Sequence, residues 1–455
     1  MKTKIVWFIT IILVFSTNLL AQSEQKKGKN PVIVIPGIMG SKLVNQKTNE
    51  VAWVKFTGAK SDKLSLPISP NLAANRDDLI ATDIIDKVKV VKFLPGISVY
   101  EELLEYLEKK AGYRRGNWDI PLSVDDQDTY YIFAYDWRHD NVESARLLIQ
   151  KIEKLKSRLN KPDLKFDVLA HSMGGLIARY AAMYGTANLQ SKPHPTWAGA
   201  KHFEKIFMLG TPNEGSMSAL ETFYEGYYID TLAGRIRPDF LSREVAFTIP
   251  ALFQLIPHGK SAKFYDENLK PLDLDIYDPN NWRKYGWSMT ADKEYMAKLS
   301  KIKRQETEKY FETVLHRAKL FHQALDVKTN VPVSLTFYAY GSDCKSTLDG
   351  AIVYFDLETT SWTTLTRASA FKNVRGEKVS EKSVRDTIFA KGDGSVSLTS
   401  LLAENISLLN GQNLFLALDS VSPTQKIVCE GHASIPGNKK IQESFTSILS
   451  PTLAN

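Results

Sequence analysis

Residues 168–180 of the chain read VLAHSMGGLIARY, and this stretch decides the fold. The apolar run 166–170 predicts a buried strand, and the apolar pattern after Ser172 predicts a helix. A serine on so sharp a strand–turn–helix stands clear of the sheet, at the positive end of the helix. The usual pattern is G-x-S-x-G, and here Ala170, which is still small, replaces the first glycine. We therefore predict that Ser172 is a nucleophile, against the alternative of an ordinary serine in a glycine-rich turn.

Apolar runs and amphipathic patterns alternate on both sides of this stretch. The strand-like runs are 31–35, 130–135, 166–170, 205–209, 331–340 and 426–428, and helical patterns cover 100–110 and 141–159. This alternation predicts a mostly parallel central sheet with helices on both faces. Together with the serine turn, it predicts the α/β-hydrolase fold.

Two stretches interrupt the alternation. Residues 42–94 are mixed and loop-like, while residues 213–330 are rich in aromatic side chains and end in a predicted helix over 291–325. Insertions of this size often cover an active site, so we expect 213–330 to be a cap or lid. Added packing surface is the alternative.

A serine needs a general base that is held by an acid, and in this fold the acid and then the histidine follow the serine in the chain. Of the eight histidines only His432 follows the 331–340 run. Asp393 stands between two glycines in KGDGSVSL, residues 391–398, which favours it as the acid over Asp386. An Asx turn between strands is the plainer explanation of Asp393.

The negative oxygen that forms during ester cleavage needs two backbone N–H donors. One is expected from Met173, directly after the nucleophile, and the other from Ile38, in the loop IPGIMGS at 35–41. A simple Pro–Gly turn is the alternative for that loop. The sequence contains no metal-binding motif, so we expect a mechanism without metal or cofactor.

The N-terminus has the pattern of a targeting segment. A positive start, an apolar run over 5–20 and Ala21 predict a secretory signal at 1–21, followed by a polar linker at 22–29 and the enzyme domain at 30–455. We therefore expect an exported protein, periplasmic or secreted, with a membrane anchor as the alternative. The formal net charge is +7 without an aromatic–basic pattern, which argues against nucleic acid and leaves room for peripheral contact with anionic membranes.

Six motifs occur in a characteristic order: PGIMGSKL at 36–43, YDWR at 135–138, AHSMGG at 170–175, LGTP at 209–212, GDGSV at 392–396 and GH at 431–432. From about residue 30 to 438 the chain resembles the lecithin:cholesterol acyltransferase family, which includes lysosomal phospholipase A2 and phospholipid:diacylglycerol acyltransferase. The resemblance implies acyl transfer from glycerophospholipids through an acyl-enzyme. By motif it implies Ser172, Asp393 and His432 as catalytic residues, Ile38 and Met173 as oxyanion donors, and a supporting role for YDWR.

The resemblance leaves the substrate and its acceptor open. In the family the segment that corresponds to 42–94 forms a membrane-binding subdomain, so the resemblance implies one here. In animal members a disulfide staples this segment, whereas 42–94 of this chain contains no cysteine. The acyl acceptor is water or an alcohol. A small-ester carboxylesterase or thioesterase and a catalytically inert binding protein are alternatives to a lipid enzyme.

Cys344 and Cys429 are the two cysteines, and an exported protein with one pair suggests one disulfide. Each follows one of the last two predicted strands, which as neighbours would bring both to one sheet edge. We expect their disulfide to brace the loop that carries His432, with two buried free thiols as the alternative.

Overall fold

The structure is a computed structural model that describes residues 29–53, 61–85, 100–120, 127–227, 229–231, 234–236, 241–406, 414 and 424–449. The predicted signal at 1–21 and the linker up to residue 28 lie outside the described residues. So does the end of the 42–94 stretch, from residue 86 onward.

A seven-stranded sheet forms the centre of the described part of the chain. Its strands are all parallel. In spatial order they are Gln425–Val428, Thr336–Ser342, Phe203–Leu209, Phe166–His171, Val32–Ile35, Thr129–Ile132 and Arg114–Arg115. The predicted α/β-hydrolase architecture is confirmed.

The sheet forms because its central strands are apolar on both faces. The strand Val32–Ile35 and the strand Phe166–His171, which we call the nucleophile strand, are buried throughout. Strands that are covered by helices on both faces read as continuous apolar runs, as these do. The parallel pairing places the carboxyl ends of all these strands at one edge, and Ser172 directly follows the central one.

Helices cover the sheet and fill the connections between strands. The long helix Asn141–Arg158 begins at Asp140, whose Oδ1 accepts from the Val142 N–H at 2.8 Å. The other α-helices are Glu101–Lys109, Met173–Tyr184, Met217–Glu225, Arg243–Phe247, Pro250–Phe253, Pro279–Lys284, Lys293–Lys298, Lys301–Asp326, Glu381–Ile388, Leu398–Leu401 and Lys439–Leu449. Short 3-10 helices are Ser61–Leu64, Leu72–Ala74, Ala200–His202, Gly259–Ser261, Met289–Ala291 and His432–Gly437.

Smaller sheets lie outside the central sheet. Within 42–94, Ser41–Asn45 pairs antiparallel with both Val51–Trp53 and Leu79–Ile84. The remaining strands pair as Ile229–Thr231 with Gly234–Ile236, Lys345–Leu348 with Phe389–Gly392, and Phe371–Lys372 with Lys378–Val379, while Phe264–Tyr265, Pro271–Leu272, Ala351–Asp356 and Ser361–Leu365 form a four-stranded sheet.

Three predicted boundaries differ from the structure. The strand predicted at 130–135 ends at Ile132. The strand predicted at 331–340 begins only at Thr336, because Pro332 has no N–H and its carbonyl instead accepts from Leu335 in a turn at 3.0 Å. The single helix predicted at 291–325 is two helices. The second begins after Ser300, whose side chain accepts from the Lys303 N–H, while Leu299 is extended.

The aromatic side chains of 213–330 pack mainly against one another in the core. Phe223 and Phe253 lie 4.3 Å apart between ring centroids, and Trp282 lies 5.6 Å from both Phe253 and Phe311. All of these side chains are buried. Packing therefore explains the abundance of these aromatic side chains. The cap or lid role of 213–330 stays a prediction. Over the described residues, no helix is both long and apolar enough to span a bilayer.

Candidate active site

Ser172 lies on a strained turn between the nucleophile strand and the helix Met173–Tyr184, which we call the nucleophile helix. Its backbone has φ 53° and ψ −126°, a conformation that costs a non-glycine residue roughly 1–3 kcal/mol. The turn is held because the Ser172 N–H donates to the Leu209 carbonyl at 2.8 Å. Small residues are needed beside it, since a Cβ on Gly174 would lie 2.7 Å from the Ile35 carbonyl oxygen.

Three predicted site residues form one hydrogen-bonded row. Ser172 Oγ lies 2.9 Å from His432 Nε2, and His432 Nδ1 lies 2.8 Å from Asp393 Oδ2. A carboxylate only accepts, so His432 Nδ1–H donates to Asp393, and Nε2 is left to accept from the serine hydroxyl. This is the geometry that a general base requires in order to take the serine proton.

The Asp393 carboxylate is fixed by its own turn. Its Oδ1 accepts from the N–H groups of Ser395 at 2.9 Å and Val396 at 2.7 Å, which leaves Oδ2 for His432. The Asx turn and the contact with His432 are thus made by one side chain. Asp386, the alternative acid, lies exposed on the helix Glu381–Ile388 and pairs with Lys382, so it takes no part in this row.

The loop that contains Ile38 lies directly against Ser172. A Cβ on Gly37 would come within 2.8 Å of the Ser172 Cβ. Among the described residues, neither the Ile38 N–H nor the Met173 N–H, at the start of the nucleophile helix, donates to a protein acceptor. Both donors are therefore available to a ligand oxygen.

Side chains from two other segments hold this loop in place. Tyr135 Oη donates to the Pro36 carbonyl at 2.8 Å, and Trp53 Nε1 donates to the Met39 carbonyl at 2.8 Å. The first contact gives YDWR a direct link to the site. Arg138, which is fully buried, instead binds Asp136 and Asp77 and so ties the 42–94 stretch to the scaffold.

Gly210 is a site residue that the sequence reasoning missed. Its φ is +61°, and a Cβ there would lie 3.1 Å from His432 Nδ1 and 3.2 Å from Asp393 Oδ2. Glycine is required both by the backbone conformation and by the packing against the histidine–aspartate pair. The LGTP motif is the signal that could have indicated it.

Tyr100 and His171 were also missed. Tyr100 Oη accepts from the Gly37 N–H at 2.9 Å and lies 2.8 Å from His171 Nδ1, and His171 Nε2 lies 3.1 Å from the His432 carbonyl oxygen. Burial, followed by the nearby His432, lowers the pKa of His171 to about 3. His171 is therefore neutral at ordinary pH.

Cys344 and Cys429 form a disulfide with a Cα–Cα distance of 5.2 Å. The pairing arises because Thr336–Ser342 and Gln425–Val428 are neighbouring parallel strands, with Ser342 opposite Val428. The bond closes the base of the loop that carries His432. In the part of the chain that the structure describes, no three His, Cys, Asp or Glu side chains are grouped so as to hold a metal ion.

Residues 40–337, more than half of the chain, match the family model described as Lecithin:cholesterol acyltransferase. The chain belongs to the lecithin:cholesterol acyltransferase family. The match includes Ser172 and ends before Asp393 and His432, so those two residues are supported by geometry rather than by the matched stretch. Family membership supports a lipid acyl hydrolase or acyltransferase.

A chain in the crystal structure of the Tle4–Tli4 complex is similar in fold. The TM-score is 0.56 at 14% sequence identity, over 93% of this chain and 99% of that chain. At this identity the likeness shows the shared fold alone. A comparison with curated protein sequences gives no match.

Proposed function

We propose that this protein is a serine-dependent acyl hydrolase or O-acyltransferase that acts on lipid esters through an acyl-enzyme, with glycerophospholipids as substrates. The observation that carries the proposal is the row Ser172–His432–Asp393 on a strained turn, with contacts of 2.9 and 2.8 Å. In this proposal Ser172 is the nucleophile, His432 the base and Asp393 the acid.

The first half-reaction forms the acyl-enzyme. As Ser172 Oγ bonds to the ester carbonyl carbon, His432 Nε2 takes the hydroxyl proton and Asp393 stabilises the resulting imidazolium. The negative oxygen accepts from the Ile38 and Met173 N–H groups, which have no protein acceptor in the described residues. The bond from carbon to the leaving alcohol then breaks, and His432 returns its proton to that alcohol.

The second half-reaction transfers the acyl group. Water or an alcohol gives its proton to His432 Nε2 and attacks the acyl carbon, and the same two N–H groups hold the new oxyanion. Collapse releases an acid or an ester and returns the proton to Ser172 Oγ. The two acceptors use one site, so the choice between them depends on which one reaches the acyl-enzyme first.

The proposal includes export of the protein to an oxidising compartment. The Cys344–Cys429 disulfide supports this, because such bonds persist in secreted and periplasmic proteins and are rare in reducing ones. The modest positive charge is compatible with peripheral contact to an anionic membrane.

The test is product analysis by mass spectrometry. Purified mature protein is mixed with phosphatidylcholine vesicles, with and without a long-chain alcohol or sterol, beside Ser172→Ala. Serine-dependent release of fatty acid would support hydrolysis, and serine-dependent transfer to the alcohol would support an acyltransferase. Turnover of soluble short-chain esters without any lipid product would favour a carboxylesterase and overturn the lipid assignment. Failure of Ser172 to react with a fluorophosphonate in folded protein would favour an inert binding protein.

A further inference from the structure

A buried chain of hydrogen bonds joins the two loops that flank Ser172. It runs from the Gly37 N–H to Tyr100 Oη at 2.9 Å, from Tyr100 Oη to His171 Nδ1 at 2.8 Å, and from His171 Nε2 to the His432 carbonyl at 3.1 Å. Tyr100 is 3% exposed and His171 is 6% exposed, so water does not compete for these groups.

The ends of the chain, together with the neutral state of His171, fix the direction of each hydrogen bond in it. The His432 carbonyl only accepts, so His171 Nε2 must carry a hydrogen, and the Gly37 N–H only donates, so Tyr100 Oη must accept from it. In a neutral His171 the remaining nitrogen, Nδ1, accepts, and the Tyr100 hydroxyl donates to it. Each donor and each acceptor in the chain is then satisfied, and no group has to be charged.

The chain connects the parts of the site that must be aligned. Gly37 precedes Ile38, the proposed oxyanion donor, and its Cα carries no side chain where a Cβ would meet Ser172. His432 is the proposed base, and His171 directly precedes Ser172 in the nucleophile strand. One imidazole ring therefore sits between the oxyanion loop, the nucleophile and the base loop.

We propose that Tyr100 and His171 are positioning residues that hold the oxyanion loop and the base loop in register on either side of Ser172. The proposal rests on the proposed function. Neither residue touches the reacting atoms, and each acts on catalysis through Gly37 or His432. Displacement of a reacting group by about 1 Å costs about 100-fold in rate, so loss of either link should slow the chemical step.

The test compares Tyr100→Phe with Tyr184→Phe. Both remove one buried hydroxyl, but Tyr184 Oη donates to the Ala324 carbonyl at 2.8 Å, at the far end of the nucleophile helix. Fluorophosphonate labelling carried to completion counts the reactive serines, and kcat and KM are measured on a soluble p-nitrophenyl ester per labelled serine.

We expect Tyr100→Phe to lower kcat per labelled serine by about 10- to 100-fold, and the initial labelling rate with it. KM should stay within about twofold, because the lost alignment matters only in the transition state. Tyr184→Phe should retain the wild-type values. A Tyr100→Phe protein whose kcat and labelling rate equal those of Tyr184→Phe would overturn the proposal, since a merely structural tyrosine changes only the number of reactive serines.

Substitutions at residue 171 give a second, independent test. His171→Gln can still donate to the His432 carbonyl, whereas His171→Leu cannot, so Gln should restore part of the kcat that Leu loses. Equal kcat per labelled serine in both variants and the wild type would contradict the positioning role, even if Tyr100→Phe fails to fold.

If wild type and Ser172→Ala are equally unreactive to the fluorophosphonate and to the ester, the proposed function fails and the positioning role fails with it. If wild type is active and Ser172→Ala is not, the proposed function stands. Unchanged kcat in the variants at residues 100 and 171 would then contradict the positioning role alone.

Discussion

Asp393 and His432 are joined twice, once through their side chains and once through their backbones. His432 Nδ1 lies 2.8 Å from Asp393 Oδ2, and the His432 N–H donates to the Asp393 carbonyl at 2.9 Å. Residues 39 positions apart are thereby fixed as one unit, so the imidazole is oriented by the loop as well as by the carboxylate. The loops that carry Asp393 and His432 should respond together to a change in either.

Asp393→Asn should reduce kcat by about 10⁴-fold with little loss of stability. Asparagine retains an oxygen for the N–H groups of Ser395 and Val396, so the turn survives, but its amide N–H₂ then faces His432 Nδ1. The imidazole is forced into the wrong tautomer and cannot take the serine proton. Steady-state kinetics and thermal melting measure the two effects.

Asp386→Asn is the matched control for this change. Asp386 is exposed, and among the described residues its one ion pair is with Lys382, so its loss should leave kcat within about twofold of wild type. Strong inactivation by Asp386→Asn together with a mild effect of Asp393→Asn would show that the acid is misassigned.

Gly210→Ala should lower kcat by about 100-fold or more, because its methyl group would press on the histidine–aspartate pair at 3.1 to 3.2 Å. Gly259→Ala is the control, since Gly259 has a similar φ of +56° and no atom within 4 Å of an added Cβ. Both variants should lose about 1 kcal/mol of stability from backbone strain. Equal kcat in the two variants would mean that Gly210 is needed for its backbone conformation alone.

Removal of the disulfide should lower both stability and activity. The bond joins positions 85 apart, and loss of a native disulfide typically costs about 2–5 kcal/mol. His432 follows Cys429 by a few residues, so kcat should fall at temperatures where the Cys344→Ala/Cys429→Ala protein remains folded. Calorimetry and ester turnover are the measurements. An unchanged melting temperature after treatment with reductant, in protein whose two thiols are shown to be free, would contradict the bracing role.

The sequence predicted the residues whose places follow from chain order. A buried strand, a serine turn and a single late histidine select Ser172 and His432, and the structure brings them within 2.9 Å. These inferences use only local periodicity and the order of elements. The start of the last long strand was misplaced, because the run 331–335 is apolar while Pro332 turns the chain.

The residues that the sequence did not reveal are brought to the site by contacts between distant parts of the chain. Gly37 and Tyr100 are 63 positions apart, and His171 and His432 are 261 apart, so no spacing pattern could pair them. In the sequence, Tyr100 precedes a helical pattern and resembles an ordinary core aromatic. The motif around His171 points to Ser172 and gives no separate signal for the histidine. What these side chains contact is seen only in the structure, where the loops of Gly37 and His432 meet the start of the helix Glu101–Lys109 and the end of the nucleophile strand.

The neutral state of His171 predicts how stability depends on pH. Burial and the nearby His432 lower the pKa of His171 to about 3, whereas an unfolded histidine titrates near 6.5. Between these values the unfolded chain binds a proton that the folded chain does not. The contribution of His171 to stability is therefore fully present above about pH 6.5 and is lost as the pH falls toward 3, by up to about 1.4 kcal/mol per pH unit.

His171→Gln removes this proton and isolates its effect. The free energy of unfolding is measured in denaturant at about pH 7 and about pH 5. Its loss over that interval should be larger in wild type than in the variant, and the two losses should differ by about 2 kcal/mol. Asp167, whose pKa burial raises to about 7, and the other buried histidines are common to both proteins and cancel in the comparison. Parallel losses in the two proteins would mean that folded His171 takes up a proton between about pH 7 and about pH 5, as the unfolded chain does. The Tyr100 hydroxyl could then no longer donate to Nδ1, and the proton order along the chain from Gly37 to His432 would have to be reversed at that step.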